Sequence, residues 1–241
     1  MQFKQSTLEA AHSKAVREMF AGIAKRYDLL NHVLSLNVDK SWRRRVRSEL
    51  SDILGTSEAV VLDVACGTGD LSLELKRDAK ATVIGTDFCR PMLAVAAAKT
   101  LSEQTVIPYL EADAMTLPCA DDSFDAVTIA FGLRNLPNHS SGLNELCRVL
   151  KPGGKLVILE CSKPRLPVFR ELYGLYFSTI LPRIGGLVSG SLGAYQYLPD
   201  SVSKFPDQKT LVAMMEQSGF VDVKYEDLTG GIAAIHVGTC Q

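Results

Sequence analysis

The order of hydrophobic and polar positions divides the chain into two regions. In the first fifty-odd residues, apolar side chains such as Val16, Phe20 and Ile23 recur at steps of three and four, which is the spacing of one face of an α-helix. From residue 59 onward, short apolar runs alternate with helical patterns. The sequence therefore predicts a helical N-terminal segment followed by an α/β core.

The apolar runs of the core predict strands that are buried on both faces. The predicted strands span residues 59–65, 81–88, 106–114, 124–131 and 155–162. Pro91 stands in the first turn of a predicted helix, a position that favours proline, and the sequence KPGG at 151–154 predicts a helix end. Because apolar strands that alternate with helices form parallel sheets, we expect ligands to bind at the carboxyl ends of the strands.

The alternation of strands and helices stops after the fifth predicted strand. Residues 164–200 are rich in Gly, Leu, Tyr and Pro and predict an insertion of helices and loops. A helix is predicted next, and the closing sequences VDVKYEDL and GIAAIHVGTC predict a strand pair that completes the sheet. We therefore predict a single α/β domain with a mostly parallel seven-stranded sheet and helices on both faces. Its parts are an N-terminal helical cap (1–56), a core (57–162), an insertion (163–203) and a C-terminal helix and strand pair (204–241).

Composition and charge narrow the possible partners. The 241 residues are 46% hydrophobic and 22% charged, with a net charge of -1, which is ordinary for a globular protein. The first fifty residues are more basic, with ten Lys and Arg against five Asp and Glu. This segment is either a solvated helix face or a surface that approaches anionic lipid head groups. Nucleic acid is not expected, because the chain as a whole is not basic.

The cysteines and the apolar stretches indicate a cytoplasmic protein. The six cysteines are scattered without a CxxC pair or clustered histidines, which disfavours a structural zinc site and favours reduced thiols over a disulfide framework. The N-terminus lacks the apolar stretch of a secretory signal. Pro182 and Arg183 interrupt the most apolar segment, whose runs are too short to span a bilayer.

The loop after the first predicted strand, DVACGTGD, is the strongest candidate for a ligand site. Gly67 and Gly69 allow a sharp turn and a close approach of the backbone to a ligand. The dinucleotide fingerprint GxGxxG fails because Ser72 stands at its last position, so a NAD-dependent dehydrogenase is disfavoured. The carboxylates of Asp63 and Asp70 would also repel a negatively charged pyrophosphate. The loop favours a cationic ligand without phosphate, with a plain strand–helix turn as the alternative.

Acidic residues follow the next two predicted strands. Asp87 ends the second strand, where a carboxylate can accept hydrogen bonds from both hydroxyls of a ribose; its alternative role is to cap the following helix. Asp113 and Ala114 follow the third strand, where a carboxylate and a backbone N–H could bind an adenine ring. The alternative for Asp113 is a turn residue.

Taken in order, these motifs resemble class I S-adenosyl-L-methionine-dependent methyltransferases, which have a Rossmann-like fold. The resemblance covers residues from about 59 to 162 and includes the sequences DDSFDAV and LKPGG. It implies that S-adenosyl-L-methionine is the cofactor and S-adenosyl-L-homocysteine the product, and methyl transfer from a sulfonium needs no metal. The residues implied to bind the cofactor are Asp63, Gly67, Thr68, Gly69, Asp87, Asp113 and Ala114.

Longer motifs along nearly the whole chain are similar to the ubiquinone/menaquinone biosynthesis C-methyltransferases. The matching segments are 19–44, 131–135, 156–164, 197–220 and 228–238. The resemblance implies C-methylation of a polyprenyl quinol ring, and the sequence YLPDSVSKFPDQ favours demethylmenaquinol over the benzoquinol of ubiquinone synthesis. The alternatives are an enzyme with a small soluble acceptor, such as a phenol, and a non-enzymatic cofactor-binding or scaffold protein in quinone synthesis.

Three residues are candidates for the methyl-transfer step. A quinol ring carbon becomes nucleophilic when the neighbouring hydroxyl loses its proton, and a cationic donor beside that oxygen lowers its pKa. Arg134 and Asn135 follow the fourth strand, where this fold places the methyl acceptor. We predict that Arg134 either stabilises the phenolate or orients a water that takes the proton, and that Asn135 binds the second quinol oxygen. Tyr27 is a candidate lid or acid–base residue. The alternatives are that Arg134 pairs with an acid and that Tyr27 only packs between helices.

The remaining predictions concern the partners of the protein. We expect a polyprenyl quinol as substrate, with a peripheral contact to the inner face of the membrane and a homodimer as open possibilities. The insertion is the natural path for the prenyl tail, although such apolar stripes more often build a core. The apolar residues at helical steps in it are Phe169, Leu172, Tyr173, Leu175, Tyr176, Phe177 and Leu181.

Overall fold

A computed structural model describes residues 2–162 and 192–241 of the chain. As predicted, the N-terminal segment is helical. Its helices are α1 (Gln2–Ile23), α2 (Tyr27–Leu34), α3 (Val38–Glu49) and α4 (Ser51–Leu54). The residues of the predicted path for the prenyl tail, 169–181, lie outside the described residues.

The core is a seven-stranded sheet in the order β3-β2-β1-β4-β5-β7-β6. The strands are β1 (Val60–Val64), β2 (Thr82–Asp87), β3 (Tyr109–Glu111), β4 (Phe124–Ala130), β5 (Leu150–Cys161), β6 (Phe220–Leu228) and β7 (Ala233–Cys240). The pairs among β1 to β5 are parallel, and β7 pairs antiparallel with both β5 and β6. The predicted sheet is therefore confirmed, including the closing strand pair, whereas β3 is much shorter than its predicted range of 106–114.

Helices cover both faces of this sheet, as predicted. The described helices that follow the cap are α5 (Asp70–Lys76), α6 (Arg90–Ser102), α7 (His139–Val149), α8 (Leu192–Lys204) and α9 (Gln208–Gln217). Residues of α7 and α9 pack on one face with Leu62 and Val127. On the other face α3 and α5 pack with Val61 and Val157. Because side chains alternate across a strand, neighbouring apolar residues of β1 serve both cores.

The sequence KPGG lies inside β5. The helix end that it predicts is confirmed, because α7 ends at Val149, but the predicted start of the fifth strand at residue 155 is wrong. The strand begins at Leu150, directly after α7. Leu150 pairs with Phe124 of β4, and the next pair is Lys155 with Ala126. The residues between them form an irregular bulge in which Gly153 has a φ of +81°. Pairing with β4 supplies strand hydrogen bonds that a local pattern of Pro and Gly does not reveal.

Two cysteines form a disulfide, so the prediction of reduced thiols alone is wrong. Cys147 of α7 and Cys240 at the end of β7 are bonded, with their Cα atoms 5.8 Å apart, a normal separation for a disulfide. They are brought together because α7 and β7 share one face of the core. Their separation of 93 residues gives no local signal in the sequence. Cys66, Cys89, Cys119 and Cys161 are free.

In the described part of the chain, no helix is both long and apolar enough to cross a membrane.

Candidate active site

A cleft opens where β1, β2 and β4 end. This is the edge of the sheet at which the topology predicts a ligand, because strand order reverses between β1 and β4. Described residues that line the cleft are Ser13, Phe20, Tyr27, Ala65, Gly67, Asp87, Phe88, Met92, Ala112, Asp113, Ala114, Ala130, Phe131, Gly132, Asn135, Leu136 and Pro137. Helices α1 and α2 of the cap therefore form one wall, and the strand-end loops form the other.

Asp87 is the best-placed of the predicted cofactor residues. Its carboxylate is buried and accepts hydrogen bonds from the backbone N–H groups of Gly67 and Cys89, both at 2.8 Å. The N-cap of α6 is Cys89, so Asp87 does not cap that helix. Burial raises the pKa of Asp87 to about 6, although the two backbone donors and Arg17 oppose this rise. A carboxylate has about four acceptor sites, so Asp87 can still accept from a ligand.

Asp113 and Ala114 line the same cleft beyond the end of β3. Asp113 Oδ1 accepts from the backbone N–H of Met115 at 2.9 Å, so the residue also stabilises a turn, as the alternative interpretation expected. The side chain of Ala114 is buried. Phe88 adds an aromatic ring to this end of the cleft, and the guanidinium of Arg17 lies 5.3 Å from the centre of that ring.

Of the four residues predicted for the methionine loop, only Gly67 lines the cleft. Asp63 is buried beneath the loop and accepts from Ser72 Oγ at 2.5 Å and Thr128 Oγ1 at 2.9 Å. Its burial raises its pKa to about 7. Thr68 donates its hydroxyl to Asp28 of α2. Gly69 has a φ of +81°, and a Cβ there would lie 2.6 Å from the hydroxyl oxygen of Tyr109. Asp63, Thr68 and Gly69 therefore stabilise the conformation of the loop.

Arg134 forms a buried ion pair with Glu160 at the end of β5. Its Nη1 lies 2.6 Å from Glu160 Oε1, and only 7% of its side chain is exposed. The backbone N–H of Arg134 also donates to Glu160 Oε2, at 3.2 Å. This is the acid pairing that the alternative interpretation expected. Arg134 is not among the described residues that line the cleft, but its Nε is buried and has no hydrogen-bond partner among the described residues.

The backbone turns sharply after β4, at Phe131 and Gly132. Phe131, not Gly132, takes the left-handed conformation, with a φ of +55°, whereas Gly132 has an ordinary φ of -107°. Gly132 is needed for space instead, because a Cβ there would lie 2.5 Å from the Cβ of Ala65. The backbone then forms a 3-10 turn over Leu133–Asn135, which places Asn135 in the cleft wall.

Asn135 is held by residues from three parts of the chain. Its Nδ2 donates to the carbonyl oxygen of Phe131 at 3.1 Å. Its Oδ1 accepts from the hydroxyl of Tyr197 in α8 at 3.1 Å. Its backbone carbonyl lies 3.1 Å from Nε2 of His12 in α1. The amide is therefore fixed in orientation before any substrate enters.

Tyr27 lies in the cleft wall at the start of α2, packed edge-to-face against Phe20 at 5.9 Å. Burial raises the pKa of its hydroxyl, while a hydrogen bond with Asn31 and the charge of Arg134 act in the opposite direction. At neutral pH Tyr27 is therefore a hydrogen-bond donor and not a base. Tyr27 and Asn135 line the same cleft. Tyr27 also packs between helices, as the alternative interpretation expected.

Beside the cleft, His32, Asp39 and Asp70 have ligand atoms within 4.8 Å of one another. Cationic side chains already pair with these carboxylates. Arg43 Nη2 lies 2.6 Å from Asp39 and 3.2 Å from Asp70, and Lys99 also pairs with Asp70. A metal ion would have to displace these charges, so the cluster suits an ion-pair network better than a metal. The expectation that no metal is required stays a prediction.

Sequence reasoning missed several residues of this site. Glu160 and Tyr197 stand in segments that were recognised as motifs, but nothing in their spacing shows that they reach Arg134 and Asn135. Ser13 and Phe20 lie on a helix predicted only from its periodicity. The one available signal was Phe88, an aromatic residue directly after Asp87 at a strand end.

The fold and the cleft define the protein as a class I S-adenosyl-L-methionine-dependent methyltransferase. A solved SAM-dependent methyltransferase from Aquifex aeolicus has the same fold, with a TM-score of 0.59 at 19% identity, over 80% of this chain and 88% of that one. The chain belongs to the ubiE/COQ5 methyltransferase family, whose model matches residues 8–240.

Two relatives within this family are similar over most of their length. The demethylmenaquinone methyltransferase of Thermus thermophilus is 51% identical over 91% of this chain and 99% of that protein. The ubiquinone/menaquinone biosynthesis C-methyltransferase UbiE of Geobacter sp. is 47% identical over 93% of this chain and 95% of that protein.

Proposed function

We propose that this protein methylates the ring of demethylmenaquinol to give menaquinol, with S-adenosyl-L-methionine as methyl donor. The observation that carries the proposal is the 51% identity, over 91% of the chain, to the T. thermophilus protein of that name. The geometry supports it, because one cleft joins a buried carboxylate at a strand end to a wall of fixed donors at the end of β4.

The cofactor end of the cleft fits a nucleoside with a cationic sulfonium. Asp87 is fixed by two backbone donors and still has acceptor sites for two ribose hydroxyls. Asp113 and Phe88 line the wall that an adenine ring would contact. When bound there, S-adenosyl-L-methionine supplies an electrophilic methyl group. Asp63, Thr68 and Gly69 would act indirectly, by holding the loop that carries Gly67.

The acceptor end of the cleft fits a quinol that must lose a proton. Tyr27 and Asn135 can donate to a quinol oxygen from the cleft wall, and Arg134 places a fixed positive charge beside them. The buried Nε–H of Arg134 has no partner in the part of the chain that the structure describes. A quinol oxygen that accepts from it would satisfy a buried donor, which is costly to leave unpaired. Together these donors stabilise the phenolate, which increases electron density on the ring carbon that accepts the methyl group.

The test is mass spectrometry of quinones from a bacterial strain that lacks its own quinone C-methyltransferase and expresses this protein. Recovery of menaquinone alone supports the proposal. Recovery of ubiquinone alone would assign the benzoquinol of that pathway as the substrate and contradict it. Asp87→Asn is the matched negative control, because it removes the carboxylate at the cofactor end. Failure to recover either quinone, with turnover of soluble phenols in vitro, would indicate a small soluble acceptor.

We further propose that the cap contacts the inner face of the membrane, where a prenylated substrate resides. Leu29 of α2 is 56% exposed and Leu36 of the following turn is 81% exposed, and the exposed cations Lys25 and Lys40 lie near them in the sequence. Apolar and basic groups together favour an anionic bilayer surface. Liposome flotation without binding, with or without anionic lipid, would contradict this. A homodimer stays a prediction that light scattering can test.

A further inference from the structure

Helix α8 brings a second phenol to the acceptor end of the cleft. Tyr197 is half-buried, and its hydroxyl donates to Asn135 Oδ1 at 3.1 Å. The charges of Arg134 and Glu160 also act on Tyr197, although burial is the larger influence and raises its pKa. The hydroxyl therefore stays protonated at neutral pH.

The hydrogen bonds around Asn135 allow only one arrangement of its side-chain amide. The carbonyl oxygen of Phe131 can only accept, so the group that faces it must be Nδ2. Oδ1 then faces Tyr197, and because Oδ1 can only accept, the tyrosine must donate its proton. An amide nitrogen carries two hydrogens, and the second has no acceptor among the contacts of the described residues.

We propose that Tyr197 is a positioning residue for the methyl acceptor: it holds the Asn135 amide so that the second N–H of Nδ2 donates to a quinol oxygen. This proposal rests on the proposed function. Without the tyrosine hydroxyl, only the hydrogen bond from Nδ2 to the carbonyl oxygen of Phe131 orients the amide, and rotation about its last side-chain bond would turn its oxygen toward the substrate. A carbonyl oxygen there would repel the phenolate that forms before methyl transfer. Tyr197 therefore acts through Asn135 and not by contact with the substrate.

The experiment compares Tyr197→Phe with the wild-type protein, using the full chain and a demethylmenaquinol with a short prenyl tail. We expect kcat to fall about tenfold, the effect of one lost hydrogen bond at the reacting centre. The KM for S-adenosyl-L-methionine and the melting temperature should stay unchanged, because the cofactor end of the cleft is not altered. Tyr225→Phe is the matched control. Tyr225 of β6, at the other edge of the sheet, is also half-buried but stacks on His236 of β7.

A double-mutant cycle then separates positioning from a general structural role. If Tyr197 acts through Asn135, the variant Tyr197→Phe/Asn135→Ala should lose no more activity than Asn135→Ala alone. Three outcomes would overturn the proposal. The activity losses of the two single variants could multiply in the double variant, or Tyr197→Phe could keep full activity. Alternatively, kcat, cofactor affinity and melting temperature could all decline together in Tyr197→Phe. Absence of turnover by the wild-type protein would contradict the proposed function and, with it, this inference. Normal wild-type turnover together with any of the outcomes above would contradict this inference alone, so the two failures are distinguishable.

Discussion

At the scale of single residues, the ion pair between Arg134 and Glu160 decides what Arg134 can do. Burial alone would lower the pKa of the guanidinium, but the adjacent carboxylate raises it above its usual value. Arg134 therefore remains charged and cannot accept a proton. Glu160 also accepts from the backbone N–H of Cys161 at 2.8 Å, so the pair is fixed to the end of β5. Arg134 is suited to stabilise a negative oxygen, while the proton must leave to another group.

Removal of one or both charges of this pair distinguishes a chemical role of Arg134 from a structural one. Arg134→Met leaves Glu160 buried without its partner, which we expect to lower the free energy of unfolding by about 3–5 kcal/mol. Arg134→Met/Glu160→Gln should regain most of that stability but no turnover. Urea unfolding and quinol methylation measured on the same samples provide the comparison. A double variant that is both stable and fully active would show that Arg134 is only part of the rim structure.

The buried carboxyl of Asp87 makes cofactor binding sensitive to pH. Its pKa is raised from 3.8 to about 6, so the group gains its proton as the pH falls through 6 and then accepts fewer hydrogen bonds. We expect affinity for S-adenosyl-L-homocysteine to be about tenfold weaker at pH 5 than at pH 7.5, measured by calorimetry. Asp87→Asn should bind weakly at both pH values. Asp63→Asn, which removes the neighbouring titrating group, should keep the pH dependence.

At the scale of elements, α2 is tied to the cofactor loop by charged groups. Asp28 of α2 accepts from the hydroxyl of Thr68 and from Lys99 Nζ, the latter at 2.8 Å. Lys99 also pairs with Asp70 at the start of α5. Phe20 and Tyr27 of the cap line the cleft beside this connection. Release of the cofactor product should therefore require the contacts of Asp28 to break.

Asp28→Ala should accordingly increase the dissociation rate of S-adenosyl-L-homocysteine, by about five- to tenfold for the loss of two hydrogen bonds. Stopped-flow fluorescence of Trp42 can follow it, because this single tryptophan packs 6.0 Å from the ring of Phe131 in the cleft wall. Glu18→Ala is the control, since it removes an exposed ion pair of α1 with Lys14. Equal dissociation rates in the Asp28 variant and the wild-type protein would rule out this role of the connection.

Elements whose pattern is local could be predicted from the sequence, and elements that depend on pairing could not. The apolar runs of β1, β2 and β4 and the helical cap follow from periodicity alone. The start of β5 at Leu150 depends on its pairing with Phe124. The left-handed conformation of Phe131 depends on the loop it joins, and β-branched or aromatic residues rarely take it. Gly132, next to this turn, is needed for space, because a Cβ there would lie 2.5 Å from the Cβ of Ala65.

At the scale of the whole molecule, the site is made of contacts between distant parts of the chain. Sequence motifs identified Asp87, Asp113 and Asn135 because each lies at, or within a few residues of, the end of a strand. They could not show that Tyr197 and His12 both bind Asn135, since 62 and 123 residues separate the partners. Thr68 has the spacing of a ligand-binding residue, yet its hydroxyl donates to the cap. The motif therefore locates the cleft, and the tertiary fold decides which residues face it.

The disulfide between Cys147 and Cys240 should stabilise the whole domain, because it joins α7 to the last residues of β7. A loop of 93 residues closed in the unfolded chain corresponds to about 4–5 kcal/mol of stability in the chain-entropy model. We expect dithiothreitol to lower the melting temperature of the wild-type protein, and Cys240→Ser to have the same low value with or without reductant. Cys119→Ser should behave as the wild-type protein does.

Thiol titration of the unfolded protein tests the disulfide independently. Before reduction, only the four free cysteines should react: Cys66, Cys89, Cys119 and Cys161. Reaction of every cysteine at that stage would show that the bond does not form in solution.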